Sequence, residues 1–350
     1  MSLSRSKAML SEALQMSRSL IVLPDDSPRP LIEAIHQATK SLRIKMFVFS
    51  DPVLINVVIA AHKRGVNVRI MLNPSRRSGE KENDDTHRIL TDAGVAVLDS
   101  NPAFDVTHEK SMVVDDESAF IQSLNWQTKN FTRTRDYAVQ TRHKDEVKEV
   151  SACFDADWNR QEFKPGDQSH LIWCTGNGRQ RIAQFIDEAR HALWVQNERY
   201  QDPVIIERLV RASRRGVKVK VMMRPPHTLK REKLVEGIGG VRILDDVGIK
   251  IHKLKGLKLH AKLLFADRAR AIIGSINLAP GSFDSRRELA IEVHDESIAG
   301  RIHEVVHRDW ENSKPIDLTD EGLLADLEKV DENVAEDLAL ENHKRKEANA

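Results

Sequence analysis

Two histidine–lysine pairs stand out among the residues able to do chemistry: His108-Glu109-Lys110 followed by Asp115, and His260-Ala261-Lys262 followed by Asp267. Each pair leads to a serine, an asparagine and an acid, Ser123, Asn125 and Asp136 in the first case and Ser275, Asn277 and Glu288 in the second, all at an offset of 152. With 14 histidines in the chain, a single His-x-Lys-x4-Asp arises by chance on the order of 0.1 times. Two of them with matched followers are not an accident. THEKSMVVD and LHAKLLFAD both read as strands, where side chains two apart share a face, so each histidine stands beside its lysine. A phosphodiester there would meet two ammonium groups and the polar side chains of Ser123, Asn125, Ser275 and Asn277, a cradle for charge that spreads in a transition state. Displacement at phosphorus needs a nucleophile on one side and a proton donor on the other. One imidazole from each copy supplies both.

The elements that must position these residues are themselves duplicated. Asp51-Pro52, Gly65-Val66 and Pro74 recur as Asp202-Pro203, Gly216-Val217 and Pro225 at an offset of 151, and Asp157-Trp158 recurs as Asp309-Trp310 at 152. In each copy an apolar run (Ile44 to Phe49; Leu193 to Gln196) predicts a strand. Asp-Pro then opens a helix as N-cap and first-turn residue, and the helix ends at an Arg-Gly. A second strand follows (Val66 to Leu72; Val217 to Met223). Strand, helix and strand in about 35 residues form a βαβ unit, so the sheet is at least partly parallel with helices on its faces. The copies run from about residue 19 to 163 and from 169 to 313, with Lys164-Pro165-Gly166-Asp167 as the link and residues 314–350 as a charged helical tail that places Leu323, Leu324 and Leu327 at helical spacing.

Length and composition fit this organisation. At 350 residues, 40% hydrophobic and 31% charged, the chain is a globular protein with room for two domains. A net charge of +1 shows no global basic excess of the kind that marks a dedicated nucleic-acid binder. Two cysteines, Cys153 and Cys174, exclude a disulfide framework and a cysteine-built zinc site, and read as buried thiols. The N-terminal stretch lacks the apolar core of a secretory signal, and no apolar run approaches the roughly 18 residues that cross a bilayer. A cytoplasmic protein that can touch a membrane is the expectation. Arg76 to Asp85 and Pro225 to Gly240 are loops that differ between the copies, the second longer and partly helical.

The paired motifs, together with Gly274-Ser275-x-Asn277, resemble the double HKD pattern of the phospholipase D superfamily, in particular phospholipases D and cardiolipin synthases. The resemblance spans about residues 20 to 312. It implies an α/β protein of two similar phospholipase D-like domains, each a mixed sheet flanked by helices, related by a pseudo-two-fold with the active site at their interface. It implies catalytic roles for His108, Lys110, Asp115, His260, Lys262 and Asp267, and phosphate contacts for Ser123, Asn125, Ser275 and Asn277. Asp136 and Glu288 would each accept the Nδ1 proton of an imidazole and leave Nε2 free. Read as residues alone, Asp115 and Asp267 leave two roles open, one at the substrate and one holding the fold through an ion pair. Copy one departs from the family pattern with Gln122 where copy two has Gly274, and with Asp136 where copy two has Glu288.

The reaction so implied is phosphodiester cleavage or transfer through a phosphohistidine, with no metal or cofactor, in a site that one chain completes. By the resemblance His108 is the nucleophile. The foremost substrate class is a phospholipid at a membrane surface, reached peripherally from the inner face. A metal-independent nuclease acting on DNA or RNA is the alternative, and a non-catalytic phosphate binder the third reading. A lipid site needs an apolar rim, for which Phe104, Trp126, Leu278 and Phe283 are candidates. A nuclease needs a positive groove, for which Lys129, Arg133, Arg286 and Arg287 are candidates.

Overall fold

The computed structural model describes residues 17–75, 79, 81–166, 170–225, 231–325 and 328. The first half contains β1 (Arg18–Leu23), α1 (Arg29–Gln37), β2 (Ser41–Met46), α2 (Pro52–Lys63), β3 (Asn67–Leu72), α3 (Asp84–Asp92), β4 (Ala96–Asp99), β5 (Val106–Thr107), β6 (Ser111–Val114), β7 (Ser118–Gln122), α4 (Thr128–Thr132), β8 (Thr134–Thr141) and α5 (Lys144–Trp158). The second half follows the same plan with β9 (Leu171–Cys174), α6 (Gly178–Asp187), β10 (Ala192–Gln196), α7 (Pro203–Arg214), β11 (Lys218–Met222), α8 (Arg231–Asp246), β12 (Lys250–Leu254), β13 (Lys258–Leu259), β14 (Leu263–Ala266), β15 (Arg270–Gly274), α9 (Pro280–Asp284), β16 (Arg286–Val293), α10 (Glu296–Glu311) and β17 (Ser313–Pro315).

The βαβ unit forms in each half for the reasons legible in its residues. Asp51 and Asp202 sit in extended backbone, and each carboxylate accepts two helix N–H groups at 3.1 Å, from Val53 and Leu54 and from Val204 and Ile205. Gly65 and Gly216, at φ +93° and +89°, turn the chain out of α2 and α7 into the next strand, a conformation that side chains disfavour. β2 then pairs with β3, and β10 with β11, in parallel. Antiparallel pairing on the other side, β2 with β6 and β10 with β14, makes both sheets mixed.

The strand order is β1-β8-β7-β6-β2-β3-β4 in the first sheet and β17-β12-β11-β10-β14-β15-β16 in the second, where β9 also pairs with β16. Each half has its own apolar cluster between sheet and helices, centred on residues such as Ile44, Val58 and Ile70 in the first and Val195, Leu209 and Val221 in the second. A third cluster joins Ile121, Tyr137 and Val139 to Phe265, Ile273 and Leu289, so the halves share a buried core.

At the histidines the structure departs from the expected unbroken strands. β5 leaves its own half and pairs in parallel with β16, while β13 pairs in parallel with β8. The chain returns to its own sheet only at Ser111 and Leu263, after each His-x-Lys. The motif is therefore the crossing point between sheets, and its backbone bonds to the opposite half. The N–H groups of His108 and Glu109 both donate to Arg287 O at 2.9 Å, and that of His260 donates to Arg135 O at 3.2 Å.

The tail also differs from expectation. Ser313–Pro315 is a strand at the edge of the second sheet, antiparallel to β12. Helix follows from 320, where Leu323 is buried and Leu324 exposed, while Leu327 and residues 329–350 lie outside the described residues. Residues 76–78, 80 and 226–230 of the two loops lie outside them too, and α8 supplies the helix expected in the longer one.

Candidate active site

The crossing brings each histidine to the acid of the other half. His108 Nδ1 lies 2.9 Å from Glu288 Oε2, and His260 Nδ1 lies 2.8 Å from Asp136 Oδ1. His108 Nδ1 is also 3.1 Å from Ser275 O, a carbonyl that can only accept, so Nδ1 carries the proton and Nε2 keeps its lone pair. Both acids are fully buried, and both imidazoles are mostly so.

Burial, followed by the charges of Lys110, Lys262 and Arg286, holds the His108 imidazole well below the usual histidine range. Its partner Glu288 is pushed up by burial, which outweighs the pull of Lys110 and Arg286. The other pair differs. Burial pushes the Asp136 carboxyl up, but His260, Lys262 and the Ser123 hydroxyl outweigh it and hold it below the ordinary carboxylate value. The His108 end thus favours a neutral imidazole, and the His260 end keeps an ionised carboxylate on Nδ1.

Lys110 and Lys262 are buried beside their histidines, and each ammonium donates to the carbonyl of its own histidine. Burial and the nearby charge of Lys262 push the Lys110 ammonium well below its usual range. Asn125 and Asn277 are buried, and the Oδ1 of each has no hydrogen-bond partner among the described residues. An amide oxygen only accepts, so these atoms are open to a donor hydrogen such as a substrate hydroxyl, while the Nδ2 groups are the ones able to donate to a phosphoryl oxygen.

The serines belong one layer further in. Ser123 Oγ donates to Asp136 Oδ1 at 2.6 Å and accepts from Tyr137 N at 2.9 Å. Ser275 Oγ bridges Leu289 N and O at 3.1 and 3.2 Å. Both are fully buried, and their hydroxyls are engaged by an acid and by strand ends rather than turned free toward the histidines. Of the two roles open to Asp115 and Asp267, their bonds favour the one that holds the fold. The Asp115 carboxylate accepts from the N–H groups of Thr39, Lys40 and Ser41 at 2.7–2.9 Å, and that of Asp267 from Arg190, His191 and Ala192 at 2.7–3.0 Å. Each sits at the hairpin turn at the far end of β6 or β14 from its histidine. They tie loops to the sheet chiefly through backbone N–H groups, with the Thr39 hydroxyl also donating to Asp115 at 3.0 Å.

Two features of the site carry no signal in the repeat pattern. Glu198, just past β10, accepts from Lys262 Nζ at 2.8 Å and from Arg224 Nη1 at 3.0 Å, and its Oε2 lies 3.9 Å from His260 Nε2. The equivalent residue of the first half is Phe47, whose ring packs edge-on to His108 at 4.7 Å and lies 5.0 Å from Lys110 Nζ. Residues shared by the two repeats do not include such a position. The other feature is Glu109, which with Cys153 and Asp157 brings ligand-type atoms within 4.8 Å of one another. The Lys45 ammonium lies among them, 2.9 Å from Glu109, 2.7 Å from Asp157 and 3.5 Å from Cys153 Sγ, so that cation place is taken.

Of the proposed rim, Trp126, Leu278 and Phe283 are core residues and offer no outward apolar surface. Phe104 is half-buried under the Arg287 guanidinium, 4.1 Å from its ring centre, and Arg287 itself is turned to Asp157. Lys129 and Arg133 are exposed.

Comparison with known proteins places this geometry. The family model described as "Cardiolipin synthase, PLD-like domain" matches residues 31–158 and again 182–310. A polyphosphate kinase of Vibrio cholerae is 26% identical over 320 residues, covering 85% of this chain and 44% of that protein. Cardiolipin synthase B of Salmonella typhimurium is 24% identical over 316 residues, covering 76% of this chain and 74% of that protein. The solved structure of phosphatidylserine synthase from Haemophilus influenzae matches with a TM-score of 0.69 at 10% identity, over 93% of this chain and 95% of that one, a likeness of fold. The chain spans less than half the length of the polyphosphate kinase it matches.

Proposed function

The chain belongs to the family of cardiolipin synthase-type, phospholipase D-like domains, and on that premise we propose that it cleaves or transfers the phosphodiester of a phospholipid through a phosphohistidine. The observation that carries this reading is the crossed pairing of two histidines with two buried acids, His108 with Glu288 and His260 with Asp136. His108 Nε2, neutral and oriented by Nδ1–H, attacks phosphorus. His260, next to the ionised carboxylates of Asp136 and Glu198, gives its proton to the departing alcohol and then takes one from the acceptor, water or a second alcohol. Lys110, Lys262, Asn125 and Asn277 hold the phosphoryl oxygens. The protein works at a membrane surface; among the described residues no helix is long and apolar enough to cross. We place it on the cytoplasmic face, with one chain holding a complete site and no metal taking part.

A second reading, transfer to or from polyphosphate, is favoured by the similarity to the Vibrio kinase. Glu198 weighs against it: an ionised carboxylate beside His260 disfavours a donor or acceptor as densely anionic as polyphosphate.

The test is incubation in excess EDTA with phosphatidylglycerol vesicles, with and without a primary alcohol, and separately with inorganic polyphosphate plus ADP and with single- and double-stranded DNA. Phosphatidic acid or a new phosphatidyl alcohol, lost in His108→Ala, is the expected result. ATP formation or DNA cutting that depends on His108, with lipid untouched, would overturn the lipid reading. Activity lost on chelation and restored by a divalent ion would overturn the metal-free mechanism.

A further inference from the structure

Among the groups by which the two halves of the site differ, Glu198 lies on the proton-transfer side, beside the nitrogen of His260 that must move a proton. At the His108 end the position after the strand is Phe47, and at the His260 end it is Glu198. Glu198 is held firmly. Asn197, fully buried, donates to Ile276 O at 3.1 Å and accepts from Leu278 N and Arg199 N, which ties the Glu198 loop to the segment carrying Ser275 and Asn277. Lys262, His260 and Arg224 outweigh burial and hold the Glu198 carboxyl well below its usual range, so it is ionised in the working protein. Its Oε2 and His260 Nε2 are 3.9 Å apart, too far for a hydrogen bond but the right gap for one oxygen atom to touch both.

We propose that Glu198 is a positioning residue that selects the acceptor of the second half-reaction, favouring one that carries a second donor hydrogen beside its attacking oxygen: water, or the vicinal diol of a glycerol group. The inference rests on the phosphohistidine reading above. In that step the acceptor oxygen forms a bond to phosphorus, the bond from phosphorus to His108 Nε2 breaks with its electron pair returning to the imidazole, and the acceptor proton passes to His260 Nε2. Water between the two groups gives one hydrogen to His260 and keeps the other on Glu198. A monohydric alcohol has a single O–H; once that points at His260, its oxygen turns lone pairs and no hydrogen toward an ionised carboxylate. A 1,2-diol restores the missing hydrogen through its neighbouring hydroxyl.

The experiment follows nitrophenol release from bis(p-nitrophenyl) phosphate in EDTA, and the products formed in water alone, with added ethanol and with added glycerol. Wild type should give mostly the hydrolysis product and glyceryl ester, with little ethyl ester at equal alcohol concentration. In Glu198→Gln and Glu198→Ala the ethyl-to-hydrolysis product ratio should rise about tenfold, the worth of one hydrogen bond to a charged group. This ratio does not depend on how fast nitrophenol appears, so a slower or less stable variant still reports it. An unchanged ratio in Glu198→Gln, with release still abolished by His108→Ala, overturns the Glu198 inference and leaves the phosphohistidine reading standing. Release indifferent to His108→Ala overturns both.

Discussion

Arg135 of the first half holds Asp309 of the second in a two-point pair, Nη2 to Oδ1 at 2.8 Å and Nε to Oδ2 at 2.9 Å, both side chains almost fully buried. The relationship is reciprocal: Arg287 of the second half pairs with Asp157 of the first at 2.9 Å. The same two arginines offer their backbone carbonyls to His260 and to His108. One residue in each half therefore fixes the interface through its side chain and the opposing catalytic histidine through its main chain.

Arg135 has a second acid, Asp25, 2.7 Å from its Nη1, which also donates to Leu23 O. Asp309→Ala should therefore lower the free energy of unfolding by about 2–3 kcal/mol, the loss of two buried charge-assisted bonds with one ion pair retained. Urea unfolding checks this. Replacing both residues with apolar ones of similar volume should recover part of the loss, and a cost under about 1 kcal/mol for Asp309→Ala would show the pair to be dispensable.

The crossed histidine–acid pairs predict a different pattern, in rate. His108→Ala and His260→Ala should each reduce turnover by several orders of magnitude with the fold intact, and the double variant should be little worse than either, since neither imidazole works without the other. Glu288→Gln and Asp136→Asn should each cost about tenfold to a hundredfold, by loosening the ring they orient. Losses that multiply between the two histidines would mean two sites working independently.

The repeat, the βαβ units and both His-x-Lys pairs are legible in the sequence because they depend on local rules: an Asp-Pro cap, a glycine after the helix, a spacing kept at 151 or 152. The crossing is not. β5 and β13 are two residues long, and what places them is pairing with a strand of the other half, which no local pattern records. Ser123 and Ser275 read as phosphate donors because hydroxyls suit that task, yet their bonds run to Asp136 and to backbone. Glu198 has no repeat partner to mark it, since its counterpart in the first half is Phe47.

Asp115 and Asp267 give a prediction that separates motif from mechanism. Each turns the chain at positive φ, 57° and 55°, and accepts three backbone N–H groups that would otherwise lack partners. Asp115→Ala should cost about 1–3 kcal/mol in stability, while kcat per folded molecule stays near wild type. A thousandfold fall in kcat at unchanged thermal midpoint would return Asp115 to the reacting atoms.

Acid stability offers the last test, through Asp157. Burial alone would raise its pKa, but Lys45 at 2.7 Å and Arg287 at 2.9 Å outweigh it and bring the carboxyl from 3.8 down to about 2. The ionised form is thus favoured in the folded state, and the folded state binds this proton less readily than the unfolded chain. Each tenfold weakening of proton binding is worth about 1.36 kcal/mol, so the stabilisation is roughly 2 kcal/mol. It is fully present above about pH 4 and disappears as pH falls through about 2. Asp157→Asn should therefore be less stable than wild type at neutral pH, with the gap closing between about pH 4 and pH 2. Urea midpoints measured across that window decide it. A gap that stays constant down to pH 2 would mean that the charge of Asp157 adds nothing to the interface that brings the two histidines together.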